Sequence, residues 1–175
     1  LILVDDGSTD DSGKICDMFQ QENPNTVVIH KKNAGLISAR RVGIQNATGE
    51  YCLFCDSDDF FEVDALESIN EVIEREHSDI VIFNSYEYEN GKKKVFFEDV
   101  LEEGRVLDKK KVYDELLLSY KLNSLCLKAI KRDIINVEED YTEFYQCNYG
   151  EDLLQSVPSF INADKIYYLN KKLYN

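Results

Sequence analysis

Asp56-Ser57-Asp58 sets two carboxylates on alternate residues directly after the apolar run Tyr51-Cys-Leu-Phe-Cys55. Alternate residues at a strand end point to the same side, so both acids can address one ligand-bound cation. A hard divalent ion, Mg2+ or Mn2+, takes one or two carboxylates and completes its shell with phosphate oxygens and water. The same acids also suit a solvated turn feeding a helix at 63, whose N-terminus favours negative charge. A second acidic pair, Asp5-Asp6, closes the apolar run Leu1-Ile-Leu-Val4, and this repetition favours chemistry over solvation. A calcium-binding EF-hand is excluded, because neither Asp5–Asp11 nor Asp56–Asp64 has glycine at the sixth position.

Two further stretches carry suitable groups. Asn33-Ala-Gly35-Leu-Ile-Ser-Ala-Arg40-Arg41 leads into a helix whose first amides, with Arg40 one turn in, suit a phosphate. Ordinary surface arginines on a helix fit the same residues. Glu151-Asp152 follows Tyr149-Gly150 at the start of another helix, where capping explains the acids without chemistry. Cys52 and Cys55 have CxxC spacing, but residues three apart on a strand face opposite ways, so core packing is the expectation for both. With only His30 and His77 in the chain, histidine-rich metal sites are excluded, and both histidines read as surface residues.

These residues need elements to position them. Apolar and polar periodicity predicts strands at 1–4, 26–30, 51–55 and 79–83, alternating with helices at 10–21, 36–47 and 63–76. The last of these helices is expected to turn Leu66, Ile69, Val72 and Ile73 to one face. Such βαβ alternation implies α/β architecture with a largely parallel sheet covered on both faces. Ligands of such sheets bind beyond the carboxyl ends of the strands, where both acidic pairs lie. Beyond Phe83 the pattern is mixed. Asn90-Gly91 marks a hairpin, 108–120 and 151–161 read as helices, 122–135 is ambiguous, 141–149 is irregular and 165–169 is a final strand.

The 175 residues contain 34 acidic and 20 basic side chains, a formal charge of −14. That sign argues against nucleic acid or an anionic membrane as the main partner. It leaves room for a small phosphate ligand reached through a cation. Hydrophobic residues at 43% are too many for a disordered acidic tail. Five scattered cysteines fit a reduced, cytosolic compartment better than a disulfide framework. No run of about 20 apolar residues is present to cross a bilayer, and no signal peptide is visible. Leu1 lies inside an apolar run and is not methionine, so it is expected to be a cut edge. Lys92-Lys-Lys94 and Lys109-Lys-Lys111 read as solvated charge, with contact to an anionic acceptor or membrane surface as the lesser alternative.

Four ordered pieces together resemble the family-2 glycosyltransferases of GT-A fold: Val4-Asp-Asp-Gly-Ser-Thr-Asp10, Asn33-Ala-Gly35-Leu-Ile-Ser-Ala-Arg40, Gly49-Glu-Tyr-Cys-Leu-Phe-Cys-Asp56-Ser-Asp-Asp59 and Gly150-Glu-Asp152. The resemblance implies one Rossmann-like GT-A domain over 1–175, with a nucleotide-sugar-binding half at 1–84 and an acceptor-side half at 85–175. It implies inverting transfer of a sugar, often from a UDP-sugar, to a saccharide or lipid-linked hydroxyl in bacterial polysaccharide or glycoconjugate synthesis. By that analogy Asp5, Asp6, Ser8, Asn33, Gly35, Arg40 and Asp56 bind the nucleotide-sugar. Asp58, with Asp56, holds Mg2+ or Mn2+ on the diphosphate, while Asp152 is the catalytic base and Glu151 its neighbour. The location implied is cytoplasmic, extending to peripheral attachment at the inner face of the cell membrane. Arg41 departs from the family pattern, which commonly has Asn there. A haloacid-dehalogenase-like phosphatase also begins with a strand and D-x-D, but its pattern asks for Thr or Val where Phe60 stands. A metal-dependent phosphatase and a catalytically silent nucleotide-binding GT-A domain are therefore the alternatives.

Overall fold

The computed structural model describes residues 1–89, 92–96, 101–119, 121–147 and 149–175. In chain order it forms β1 (Ile2–Asp5), α1 (Ser12–Glu22), β2 (Val27–His30), α2 (Leu36–Asn46), β3 (Tyr51–Leu53), α3 (Ala65–Glu76) and β4 (Ile80–Glu89). There follow β5 (Lys92–Val95), α4 (Lys109–Leu118), β6 (Lys128–Lys131), α5 (Glu151–Asn162) and β7 (Ile166–Tyr174). The chain divides into two compact units, residues 1–49 with 136–151 and residues 50–135 with 152–175.

In the first unit β1 and β2 pair in parallel, with Ile2 opposite Val27 and Asp5 opposite His30. Helix α2 buries Ile37 and Ile44, the apolar positions expected of it. Helix α1 has the apolar residues of an amphipathic helix but none is buried: Ile15 and Met18 are 63% and 62% exposed.

The second unit holds a mixed sheet. Strand β6, from the ambiguous 122–135 segment, lies antiparallel between β3 and β4, with Cys52 and Ile80 both opposite Ile130. The parallel neighbours expected over 1–84 are thus realised by β1–β2, whereas β3 and β4 are separated by a strand from the second half. Strand β4 also pairs in parallel with β7 and antiparallel with β5. Ile80 to Phe83 have no exposed surface, which explains why β4 opens with a continuous apolar run and not an alternating one. Helix α3 buries Ile69 and Val72 against this core, but Leu66 is 66% exposed and stands off the expected face. The hairpin register places Glu89 opposite Lys92; its predicted turn, Asn90-Gly91, lies outside the described residues.

Strand β7 runs to Tyr174, five residues past its expected end at Leu169. Lys171 and Lys172 interrupt its apolar pattern, and its pairing with β4 slips on both sides of Asn84. Asn84 is fully buried there. Its Nδ2 donates to Tyr168 Oη at 3.2 Å and Asn170 Oδ1 at 3.1 Å, and its Oδ1 accepts from Ser85 N at 2.8 Å. A buried polar side chain thus occupies the point where the register slips, hydrogen-bonded to the next amide and to two side chains of β7.

Candidate functional site

The turn after β1 is built on its two carboxylates. Asp5 Oδ1 accepts from Ser8 N at 2.8 Å, and Asp5 Oδ2 lies 2.8 Å from His30 Nδ1 at the end of β2. The Ser8 hydroxyl first, then His30 and the Ser8 amide, pull the Asp5 carboxyl down to about 2 from an ordinary 3.8. Asp6 Oδ2 accepts from Gly35 N at 2.7 Å, and its carboxylate also receives Ala34 N and the Lys31 ammonium. Asp6 therefore ties the residues before α2 to the end of β1. Gly7 has φ +76, and a Cβ there would come within 2.7 Å of Asn33 N, so only glycine allows the two segments to approach.

The entrance to α2 is equally constrained. Gly35, its N-cap, has φ +89, and a Cβ would lie 2.3 Å from Tyr145 O. Arg40 and Arg41 are 8% and 5% exposed, so neither is the surface arginine that the helix pattern alone allows. Arg41 Nη2 donates to Asn136 O at 2.7 Å, and its guanidinium stacks over the Tyr141 ring at 5.2 Å. Arg41 is a structural residue that sequence reasoning missed. Its one signal was the departure from the family pattern.

In the second unit the acidic turn after β3 is held through its backbone. β3 ends at Leu53, two residues before the expected Cys55. Asp56 N donates to Tyr174 Oη at 3.0 Å, and Asp59 N donates to Asp56 O at 3.1 Å. Phe60 and Asn175 exchange two backbone hydrogen bonds of 3.0 Å, and Glu62 N donates to Leu173 O at 2.9 Å. Phe61 packs edge-on against Tyr174 with ring centroids 5.1 Å apart. Burial drives the Tyr174 phenol far above its usual range, so it stays neutral. The end of β7, which the sequence pattern left out of the strand, is thus the brace of the acidic turn. Asp56 is half-buried and Asp58 exposed. Cys52 is in the core as expected, whereas Cys55 is exposed, and all five cysteines are free.

Glu151 and Asp152 are the first two residues of α5, as expected, and the boundary between the two compact units falls between them. Asp5, Asp6, Ser8, Asn33, Gly35 and Arg40 belong to the first unit; Asp56, Asp58 and Asp152 belong to the second. Among the described residues no group of three or more His, Cys, Asp or Glu gathers as a metal cage. The lysines of α4 are committed within the chain: Lys109 Nζ donates to Ala163 O at 2.6 Å, Lys110 pairs with Asp114 at 2.6 Å and Lys111 with Glu102 at 3.4 Å.

Residues 1–137 match the model of glycosyl transferase family 2. The glycosyltransferase GlyA of Streptococcus pneumoniae is 30% identical over 178 residues, covering 99% of this chain and 25% of GlyA. GlyG of the same organism is 30% identical over 184 residues, covering 99% of this chain and 59% of GlyG. The chain thus spans between a quarter and about three fifths of these relatives. Among solved structures, S. aureus TarS 1–349 in complex with UDP matches with a TM-score of 0.75 at 24% identity, covering 99% of this chain and 49% of that one. The complex of TarS 1–349 with UDP-GlcNAc gives the same TM-score and identity.

Proposed function

Since the chain belongs to glycosyl transferase family 2 and has the GT-A fold, we propose that it is an inverting glycosyltransferase that moves a sugar from a nucleotide-diphosphate sugar to a hydroxyl of a saccharide or lipid-linked acceptor. The observation that carries this reading is the pair of acidic turns at the carboxyl ends of β1 and β3, in a chain that matches over nearly its whole length a protein solved with UDP and UDP-GlcNAc. A UDP-linked donor is the form those complexes favour. Because the chain covers only part of its relatives, the reading concerns this domain, and the acceptor follows from the family.

In this reading Asp5, Asp6, Ser8, Asn33 and Gly35 line the nucleoside side of the donor site, with Arg40 near the nucleotide. Asp56 approaches the ribose or sugar. Asp58, with Asp56, holds Mg2+ or Mn2+, an ion suited to so small a set of oxygen donors. When bound, that ion offsets the charge of the departing diphosphate. Asp152 takes the proton of the acceptor hydroxyl and Glu151 flanks it. The site of action is the cytoplasmic side, including the inner membrane face. Among the described residues no helix is long and apolar enough to cross a membrane.

Calorimetric titration with UDP, with and without Mg2+, tests the donor half of the proposal. Metal is expected to strengthen binding, and Asp58→Asn to remove that gain. Equal affinity with and without metal would take Asp58 out of the site. Loss of a UDP-sugar without transfer to any acceptor would favour a hydrolase over a transferase.

A further inference from the structure

One imidazole in the first unit joins three elements. His30, at the end of β2, places Nδ1 2.8 Å from Asp5 Oδ2 at the end of β1 and Nε2 2.9 Å from Asp17 Oδ1 on α1. Gly13 leaves room for the pair, since a Cβ there would stand 2.7 Å from Asp5 Oδ2 and 3.5 Å from the His30 ring. Both ring nitrogens face carboxylates, and a carboxylate only accepts, so the doubly protonated ring alone satisfies both bonds. Asp5 is also fixed from its other oxygen by Ser8 N, and only 10% of its side chain is exposed. The Ser8 hydroxyl acts on it as well, and because a carboxylate has about four acceptor positions, one remains for a ligand.

We propose that His30, braced by Asp17, is a positioning residue for Asp5 in the donor site and makes nucleotide affinity depend on the charged imidazolium. The proposal rests on the reading of Asp5 as a nucleoside-binding residue. The groups facing the ring are Asp5 from β1 and Asp17 from α1; Asp10 and Cys16 lie near enough to Asp5 to feel its charge. The hydrogen bonds to Asp5 and then to Asp17 raise the His30 pKa above its usual value, which keeps the ring charged further toward neutral pH. Once it deprotonates, the ring donates to one carboxylate only, and either Asp5 loses its orienting donor or α1 loses its tie to β2.

Two measurements on the chain test this. Proton NMR of the two histidines, assigned with His77→Gln, is expected to show His30 titrating above an ordinary midpoint of about 6.5, and Asp17→Asn lowering that midpoint. Calorimetry with UDP is expected to show affinity falling as pH rises through the His30 midpoint. His30→Gln is expected to bind about tenfold more weakly at low pH and to lose that slope, as for a charge-assisted bond replaced by a neutral one. The titration of UDP itself is common to both proteins and cancels in the comparison. Chemical denaturation at each pH shows that the variants are folded. A His30 midpoint unmoved by Asp17→Asn overturns the brace. Wild-type UDP binding that His30→Gln leaves unchanged overturns the role in the donor site alone, whereas absence of UDP binding at every pH overturns the donor-site reading and this role with it.

Discussion

The turns after β1 and after β3 have nearly the same composition, two or more aspartates at the end of a short apolar strand, yet they are held in opposite ways. In the first, the side chains are the fasteners: Asp6 receives two backbone amides and a lysine, and Asp5 receives Ser8 N and His30. In the second, the backbone is the fastener. Tyr174 Oη, Leu173 O and the main chain of Asn175 hold residues 56–62, and Asp58 remains exposed. A carboxylate already accepting three donors has little left for a cation, so the first turn suits shaping and hydrogen-bonded recognition. A turn anchored through its amides leaves the Asp58 carboxylate exposed to solvent.

Substitutions can break this contrast. Asp152 belongs to neither turn, and Asp152→Asn is expected to cost about 10²–10⁴-fold in sugar transfer, the usual worth of a positioned base. UDP affinity should survive; transfer at the wild-type rate would send the search for the base back to the two turns. Asp6→Asn should destabilise by about 2–4 kcal/mol, because one amide oxygen cannot replace a carboxylate that receives three donors. Asp58→Asn should stay within about 0.5 kcal/mol of wild type in stability while weakening metal-dependent UDP binding. Urea unfolding of the two variants side by side decides the matter, and equal losses would erase the distinction. Tyr174→Phe strips the acceptor from Asp56 N and should cost about 1–2 kcal/mol in the same assay. If UDP affinity in the presence of Mg2+ is then unchanged, the Tyr174 brace has no part in the proposed metal role of this turn.

The alternation of strands and helices through β4 was legible because each element there carries its own periodicity, as with Ile37 and Ile44 on α2 or the fully buried run Ile80–Phe83. The acidic turns were legible because aspartates at strand ends are a local signal. What escaped depends on residues distant in sequence. Strand β6 needed β3 and β4 beside it before Lys128-Ala-Ile-Lys131 read as a strand. The last five residues of β7 are hidden by Lys171, whose ammonium reaches Asp64 at 2.6 Å and Ser68 Oγ at 2.7 Å, and by the slip around Asn84. Arg41 looked like a helix-surface residue because its partners, Asn136 and Tyr141, lie some 95 and 100 positions on. His30 is exposed, as its place at a strand end suggested, but its ties to Asp5 and Asp17 were not legible, because Asp5 lies 25 positions and Asp17 13 positions away.

The smallest effect separates the turns by pH. Asp5 has its carboxyl lowered to about 2 from 3.8, so its contribution to stability is present above about 4 and is lost as pH falls toward 2. His30 is shifted the other way. Its contribution is fully present below the ordinary histidine value of about 6.5 and is lost as pH rises through the raised native value. The β1–β2–α1 junction is therefore most stable in the window between those limits. The brace at Tyr174 has no such window, because its phenol stays neutral and its donor is a backbone amide. Thermal unfolding followed from acid to mildly alkaline pH should show wild type and His30→Gln most different between about pH 4 and 6.5, converging on both sides. Wild type and Tyr174→Phe should differ by an amount that does not change across the same range. A difference between wild type and His30→Gln that is flat with pH would mean that His30 titrates alike in the folded and unfolded chain, and its two carboxylate partners would then contribute nothing to its charge.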